Sequence, residues 1–224
     1  MRSSGRTSLR GARAGNDGRV RDPSNTSTGG RPVSQTVIAV LFGDPFALMN
    51  TVGLVAFALV GASKAIREEF DLFGIGIVGL AMAFVGGATR DILVNRVPLV
   101  LQSPIELTLG ILGVTLAVAL SPLLSTPDTH PLTVVADAIG LGAFATTGAI
   151  VGTGAGVSAF GVVMIATINA VGGGAFADIL LDRSPFILFE DFYASPAVLG
   201  GSVYWVLTTV GSAGGQAAAG CAIV

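Results

Sequence analysis

Among 224 residues there is one cysteine, Cys221, and one histidine, His130. With those two residue types nearly absent, neither a disulfide framework nor a Cys/His metal site can be assembled. His130 falls in the turn-forming stretch Ser125-Thr126-Pro127-Asp128-Thr129-His130-Pro131 and reads as a loop residue. Charge is scarce as well: Asp, Glu, Lys and Arg make up 12% of the chain, against about a quarter in soluble domains. Catalytic signatures are missing too. No Walker A lysine, G-x-S-x-G elbow or H-E-x-x-H helix occurs, and Gly152-Thr153-Gly154-Ala155-Gly156 runs into Val157 where a dinucleotide loop needs its third glycine. No enzyme, cofactor, metal or nucleic-acid partner is expected, and with no ATP motif this chain by itself does not pump.

What is present in quantity is apolar. Half the residues (51%) are hydrophobic and the mean hydropathy is +0.77, which indicates a polytopic protein of the cell membrane whose first partner is the lipid bilayer. Stretches approaching the roughly 20 residues a bilayer requires lie at 44–63, 72–90, 104–124, 131–151, 157–177 and 194–212. The connections are short: Lys64 to Asp71 is charged, Leu120 to His130 is Pro-rich and Gly152 to Gly156 is a flexible turn.

Seven of the twelve basic residues sit in the first 36 positions, in a Ser-, Gly- and Arg-rich stretch with no apolar run. That stretch cannot bury enough surface to fold alone and is expected to be a disordered tail. It lacks the apolar core of a signal peptide, so insertion is expected to begin with the first span. The remaining Lys and Arg are almost balanced between the two sides of the spans, and the positive-inside rule leaves orientation undecided.

The chain also contains itself twice. Residues 50–98 align without a gap onto residues 137–185 at a constant offset of 87. The first copy carries Val85-Gly86-Gly87-Ala88-Thr89-Arg90-Asp91 and ends Arg96-Val97-Pro98; the second carries Gly172-Gly173-Gly174-Ala175-Phe176-Ala177-Asp178 and ends Arg183-Ser184-Pro185. Three spans per copy is an odd number, so the second copy enters the membrane from the opposite side. The fold class is therefore an all-α membrane protein of two inverted three-helix repeats, 44–124 and 131–212, with 213–224 as the start of a truncated seventh helix.

Candidate pathway residues follow from the cost of polarity in lipid. Asp137 lies six residues into an apolar span, and its repeat mate is Asn50; Asn169 is polar in the fifth span, and Glu106 near the start of the third is secondary. Asp91 and Asp178 close the Gly-rich segments, where Arg90 is placed to pair with a carboxylate and Ala177, its mate, is not. Gly86, Gly87, Gly172, Gly173 and Gly174 are candidate kinks, whose opened carbonyls could coordinate a cation; tight helix packing is the competing explanation.

At these residues the chain resembles the UPF0126 family, the prokaryotic relatives of the trimeric intracellular cation (TRIC) channels, whose domain is also called the glycine transporter domain. The resemblance covers about residues 44–224 and rests on the doubled G-G-G-x-x-R-D followed by proline. It implies inverted repeats, a seventh helix, a homotrimer and one pathway per subunit flanked by the Gly-kinked helices. Val85, Ala177 and Asn50 depart from the family's pattern, which leaves Asp137 as the main intramembrane charge. The function expected is a passive channel for a monovalent cation, potassium first; the alternative is a transporter of glycine or a similar small neutral amino acid. Subunit contact is expected through small-residue faces such as Gly140-Leu141-Gly142-Ala143 and Ala145-Thr146-Thr147-Gly148-Ala149.

Overall fold

The computed structural model describes residues 44–124, 131–189 and 193–211. The expected tail, His130 and the seventh helix at 213–224 lie outside the described residues. Within them the first half forms α1 (Pro45–Arg67), α2 (Leu72–Leu93), α3 (Leu99–Gln102), α4 (Pro104–Ala119) and α5 (Ser121–Leu124). The second half forms α6 (Pro131–Gly154), α7 (Ala159–Leu180), a 3₁₀ turn at Phe186–Leu188 and α8 (Ser195–Thr209).

Local chemistry sets the ends of these helices, and the duplication reaches into it. Asp44 caps α1, its carboxylate accepting the Phe46 N–H at 3.0 Å, with Pro45 in the first turn. Asp71 caps α2 through the Gly74 N–H at 2.7 Å, and its repeat mate Ser158 caps α7 through the Gly161 N–H at 3.3 Å. The chain leaves α1 and α6 through left-handed residues, Glu69 (φ 58°) and Gly156 (φ 70°), and leaves α2 and α7 through Asn95 (φ 57°) and Asp182 (φ 55°). Both pairs are 87 residues apart. After each left-handed residue the next N–H turns back onto the last helical turn: Arg96 N–H to the Asp91 carbonyl at 2.8 Å, and Arg183 N–H to the Asp178 carbonyl at 2.9 Å.

The two halves interlock through contacts that repeat in reciprocal form. Gly53 of α1 lies under the Phe144 ring of α6, and Gly140 of α6 lies under the Phe57 ring of α1. The two rings meet edge to face at 5.0 Å. Helices α2 and α7 cross the same way, with Gly86 against the backbone carbonyl of Asn169 and Gly173 against that of Met82. A pseudo-two-fold axis therefore runs between these pairs, as two inverted repeats require. Phe57, Phe144, Met82 and Asn169 are among the most deeply buried side chains in the core it organises.

Among the described residues four helices, α1, α2, α6 and α7, are long and apolar enough to cross a membrane. Helices α4 (16 residues) and α8 (15 residues) are shorter than the spans read from the sequence, because the turns at Leu120 and Val210 end them early. The first and fourth spans are longer than expected. Helix α1 continues through Lys64 to Arg67, and α6 continues to Gly154, so residues assigned to connections belong to helices.

The small faces of α6, expected at a subunit contact, are buried within this chain. Gly140 receives Phe57, Gly148 backs onto Ile165 and Ala166, and Ala143, Ala145, Thr146, Thr147 and Ala149 are buried. The exposed surface instead carries large apolar side chains, including Ile111, Leu112, Val134, Val135 and Ile139.

Candidate functional site

Polar side chains from five helices and one connection gather at two places, related by the duplication. In the first, α1 contributes Asn50, α2 contributes Arg90 and Asp91, and α4 contributes Glu106. The Asn50 amide donates to Glu106 Oε2 at 2.8 Å. Arg90 and Asp91 are both buried, 2% and 5% exposed; Arg90 Nε and Nη2 each reach Asp91 Oδ1 at 2.8 Å. Asp91 Oδ2 accepts the Leu99 N–H at 2.9 Å, which ties α3 to the end of α2. The guanidinium lies 5.5 Å from the centre of the Phe46 ring. A cavity of about 20 Å³ lies among Asn50, Gly87, Arg90, Asp91 and Glu106, beside a cleft of about 430 Å³ lined by Phe46, Arg96, Gln102 and Val151 together with Arg90 and Asp91.

The second place repeats the plan with the groups exchanged. Asp137, the mate of Asn50, accepts a hydrogen bond from the Tyr193 hydroxyl. Tyr193 in turn stands 87 residues after Glu106. Burial, and then the adjacent Asp137 carboxylate, push the Tyr193 phenol up, so it remains a donor. Lys64 Nζ reaches Asp178 Oδ1 at 2.7 Å from the other half of the chain. These groups line a cleft of about 410 Å³ whose remaining wall includes Val60, Val134, Ala138, Leu141, Arg67, Ser184 and Pro196. Arg183, also on this cleft, pairs with Glu68.

Each buried aspartate at a helix end thus meets a cation, but from a different source. Asp91 takes Arg90 from its own helix. Asp178 has Ala177 in that place and takes Lys64 instead, while the mate of Lys64 is Val151 on the first cleft.

Between the two places, at the crossing of α2 and α7, Asn169 is wholly buried. Its amide donates to the Phe144 carbonyl at 2.6 Å and to Thr147 Oγ1 at 2.8 Å. Its Oδ1 is buried without a hydrogen-bond partner and lies 3.8 Å from the position a Cβ on Gly87 would take, as does Arg90 Nη2.

The glycine clusters do not open the helices. Helix α2 runs unbroken through Gly86 and Gly87, and α7 through Gly172, Gly173 and Gly174, so unwound carbonyls expected there are not on offer. Missing side chains are used instead. Gly86 and Gly173 permit the backbone contact at the crossing, where a Cβ would stand 2.2 Å from the Asn169 carbonyl oxygen and 1.9 Å from that of Met82. A Cβ at Gly172 would stand 3.5 Å from the Gly86 Cα, and one at Gly174 3.6 Å from the Tyr193 hydroxyl.

Of the residues expected from the sequence, Asn50, Arg90 and Asp91 come together in the first place and Asp137 and Asp178 in the second, with Asn169 between. Lys64 and Tyr193 were missed. Lys64 follows Val60 and Gly61 by one helical turn, on the stripe that carries buried Phe57, a signal that counts only because α1 continues past the expected end of its span. Tyr193 lies in a connection, where no periodicity points inward.

Comparison with known proteins matches the chain to the glycine transporter family over residues 47–122 and 134–209, one stretch per repeat. A UPF0126 membrane protein of Bacillus subtilis, YvgT, is 35% identical over 157 residues, covering 70% of this chain and 77% of the relative. A UPF0126 membrane protein of Deinococcus radiodurans is 34% identical over 162 residues, covering 71% and 74%. Among solved structures, a TRIC channel orthologue from Rhodobacter sphaeroides superposes with a TM-score of 0.71 at 30% identity, covering 79% of this chain and 91% of that one. A TRIC cation channel whose conductance was examined structurally gives 0.70 at 32%, covering 79% and 86%.

Proposed function

Because the chain belongs to the glycine transporter family, which includes the UPF0126 membrane proteins and the TRIC channels, we propose that it conducts monovalent cations passively, potassium above all. It is a multi-pass membrane transport protein, not an enzyme. In this proposal each subunit of a homotrimer holds its own pathway, running from one cleft to the other past the α2–α7 crossing. The supporting observation is the placing of four carboxylates, Asp91 and Glu106 on one side and Asp137 and Asp178 on the other, around the buried acceptor Asn169 Oδ1. Carboxylates in apolar spans are costly unless a cation, water or partner compensates them. The cavity of about 20 Å³ has room for about one water. A cation passing there sheds most of its shell, and the oxygens of Asn50 and Glu106, which line the cavity, replace it.

One observation favours the second reading, a carrier for glycine or a similar small neutral amino acid. The cleft of about 410 Å³ beside Asp137 and Asp178 presents both signs of charge against an apolar wall, which suits a zwitterion. Purified protein in liposomes, assayed for potassium flux and labelled glycine uptake side by side, separates the two. Channel function predicts potassium flux down its gradient without glycine accumulation; glycine uptake without cation flux would contradict it.

A further inference from the structure

The Lys64–Asp178 pair is not demanded by the fold. Its counterpart on the other side of the pseudo-two-fold axis joins no such pair, since Val151 stands where Lys64 would be and Asp91 is served by Arg90. The two arrangements also differ in how firmly the cation is held. Arg90 grips Asp91 with two nitrogens, is 2% exposed and is covered by Phe46. Lys64 reaches Asp178 with one ammonium at the end of a flexible stem, and its side chain is 18% exposed beside a cleft of about 410 Å³. An ammonium is a compact point charge with rotatable donors, similar in demand to a monovalent metal cation, whereas a guanidinium fork is not.

We propose that Lys64 is a tethered cation: its ammonium occupies, on Asp178, the place a permeating monovalent cation takes, so that an ion entering the cleft must displace it. This rests on the channel reading above. Asp137 and Tyr193 line the same cleft, as do Arg67 and Arg183, the latter engaged by Glu68. Removing the Lys64 charge therefore leaves the cleft more negative by one unit, while Asp137 and Asp178 remain to attract the ion.

The test uses the full chain in potassium-loaded liposomes, with thallium influx as the readout. Lys64→Gln should raise influx at low external thallium by roughly ten-fold, equivalent to about 1.4 kcal/mol, and lower the concentration for half-maximal rate. Lys64→Arg should stay near wild type or below. A charge-restoring arm separates this from a structural role. In a Cys221→Ser background, Lys64→Cys should behave as Lys64→Gln, return toward wild type on reaction with a positively charged ethylammonium thiosulfonate, and stay high with the negatively charged ethylsulfonate. Influx through Lys64→Cys that ignores the sign of the label, or that falls below wild type and is rescued only by positive charge, overturns the proposal. Silent wild type with active Lys64→Gln supports it, whereas no influx in either overturns both the tethered cation and the channel reading beneath it.

Discussion

Alanine at Gly173 and alanine at Gly174 should have opposite consequences, though the substitutions are neighbours on one helix. A Cβ at Gly173 would stand 1.9 Å from the Met82 carbonyl oxygen and 2.9 Å from its carbon. Both atoms are backbone of α2, so no rotamer can yield. To restore an ordinary contact of 3.4 Å the two helices must part by about 1.5 Å. That separation also loosens the reciprocal contact of Gly86 with Asn169. Overpacking of this kind typically costs about 1–3 kcal/mol, with dispersion lost along the rest of the crossing adding to it. At Gly174 the nearest atoms are 3.6 Å and 3.8 Å away, so a methyl fits. There the better helix propensity of alanine, about 1 kcal/mol, makes the change neutral or mildly stabilising. Melting of the purified protein in mild detergent, followed by loss of the monodisperse chromatographic peak, gives the readout. Gly173→Ala should melt well below wild type and Gly174→Ala at or above it. The same contrast is expected between Gly86→Ala, facing a carbonyl oxygen at 2.2 Å, and Gly87→Ala, whose nearest neighbours are at 3.8 Å. Equal melting of Gly173→Ala and Gly174→Ala would refute the packing account of the crossing.

Arg90→Met leaves Asp91 buried and uncompensated, and should destabilise by about 3–5 kcal/mol; Arg90→Met/Asp91→Asn should recover much of that loss in the same melting assay. Asp137→Asn keeps the shape of the cleft and removes its charge, so thallium influx should fall roughly ten-fold while any uptake of a neutral amino acid changes less. Equal loss of both activities would argue against a cation-selective role for Asp137. Native mass measurement in mild detergent should stop at three subunits, and a stable conducting monomer would contradict the trimer while sparing the pathway in each subunit.

The duplication was legible down to single residues, because an offset of 87 that preserves glycine positions also preserves caps and left-handed exits: Asp71 with Ser158, Asn95 with Asp182. Polar residues inside apolar spans, Asn50, Asp137 and Asn169, were legible for a different reason, since lipid leaves them no bland location. Partnerships across the pseudo-two-fold axis were not. Lys64 looked like the first residue of a charged connection, and only the continuation of α1 to Arg67 turns it toward Asp178. Local spacing likewise cannot tell a glycine that opens a helix from one that lets two helices touch. Gly86 and Gly87 are adjacent, yet one meets a backbone oxygen and the other an unfilled polar space.

In the proposed pathway a cation crosses each subunit between the two clefts. Planar-bilayer recording of the purified protein under a potassium chloride gradient tests it most directly. Discrete unitary currents reversing close to the potassium equilibrium potential are the predicted result; silence at all voltages, or reversal at the chloride potential, would contradict it.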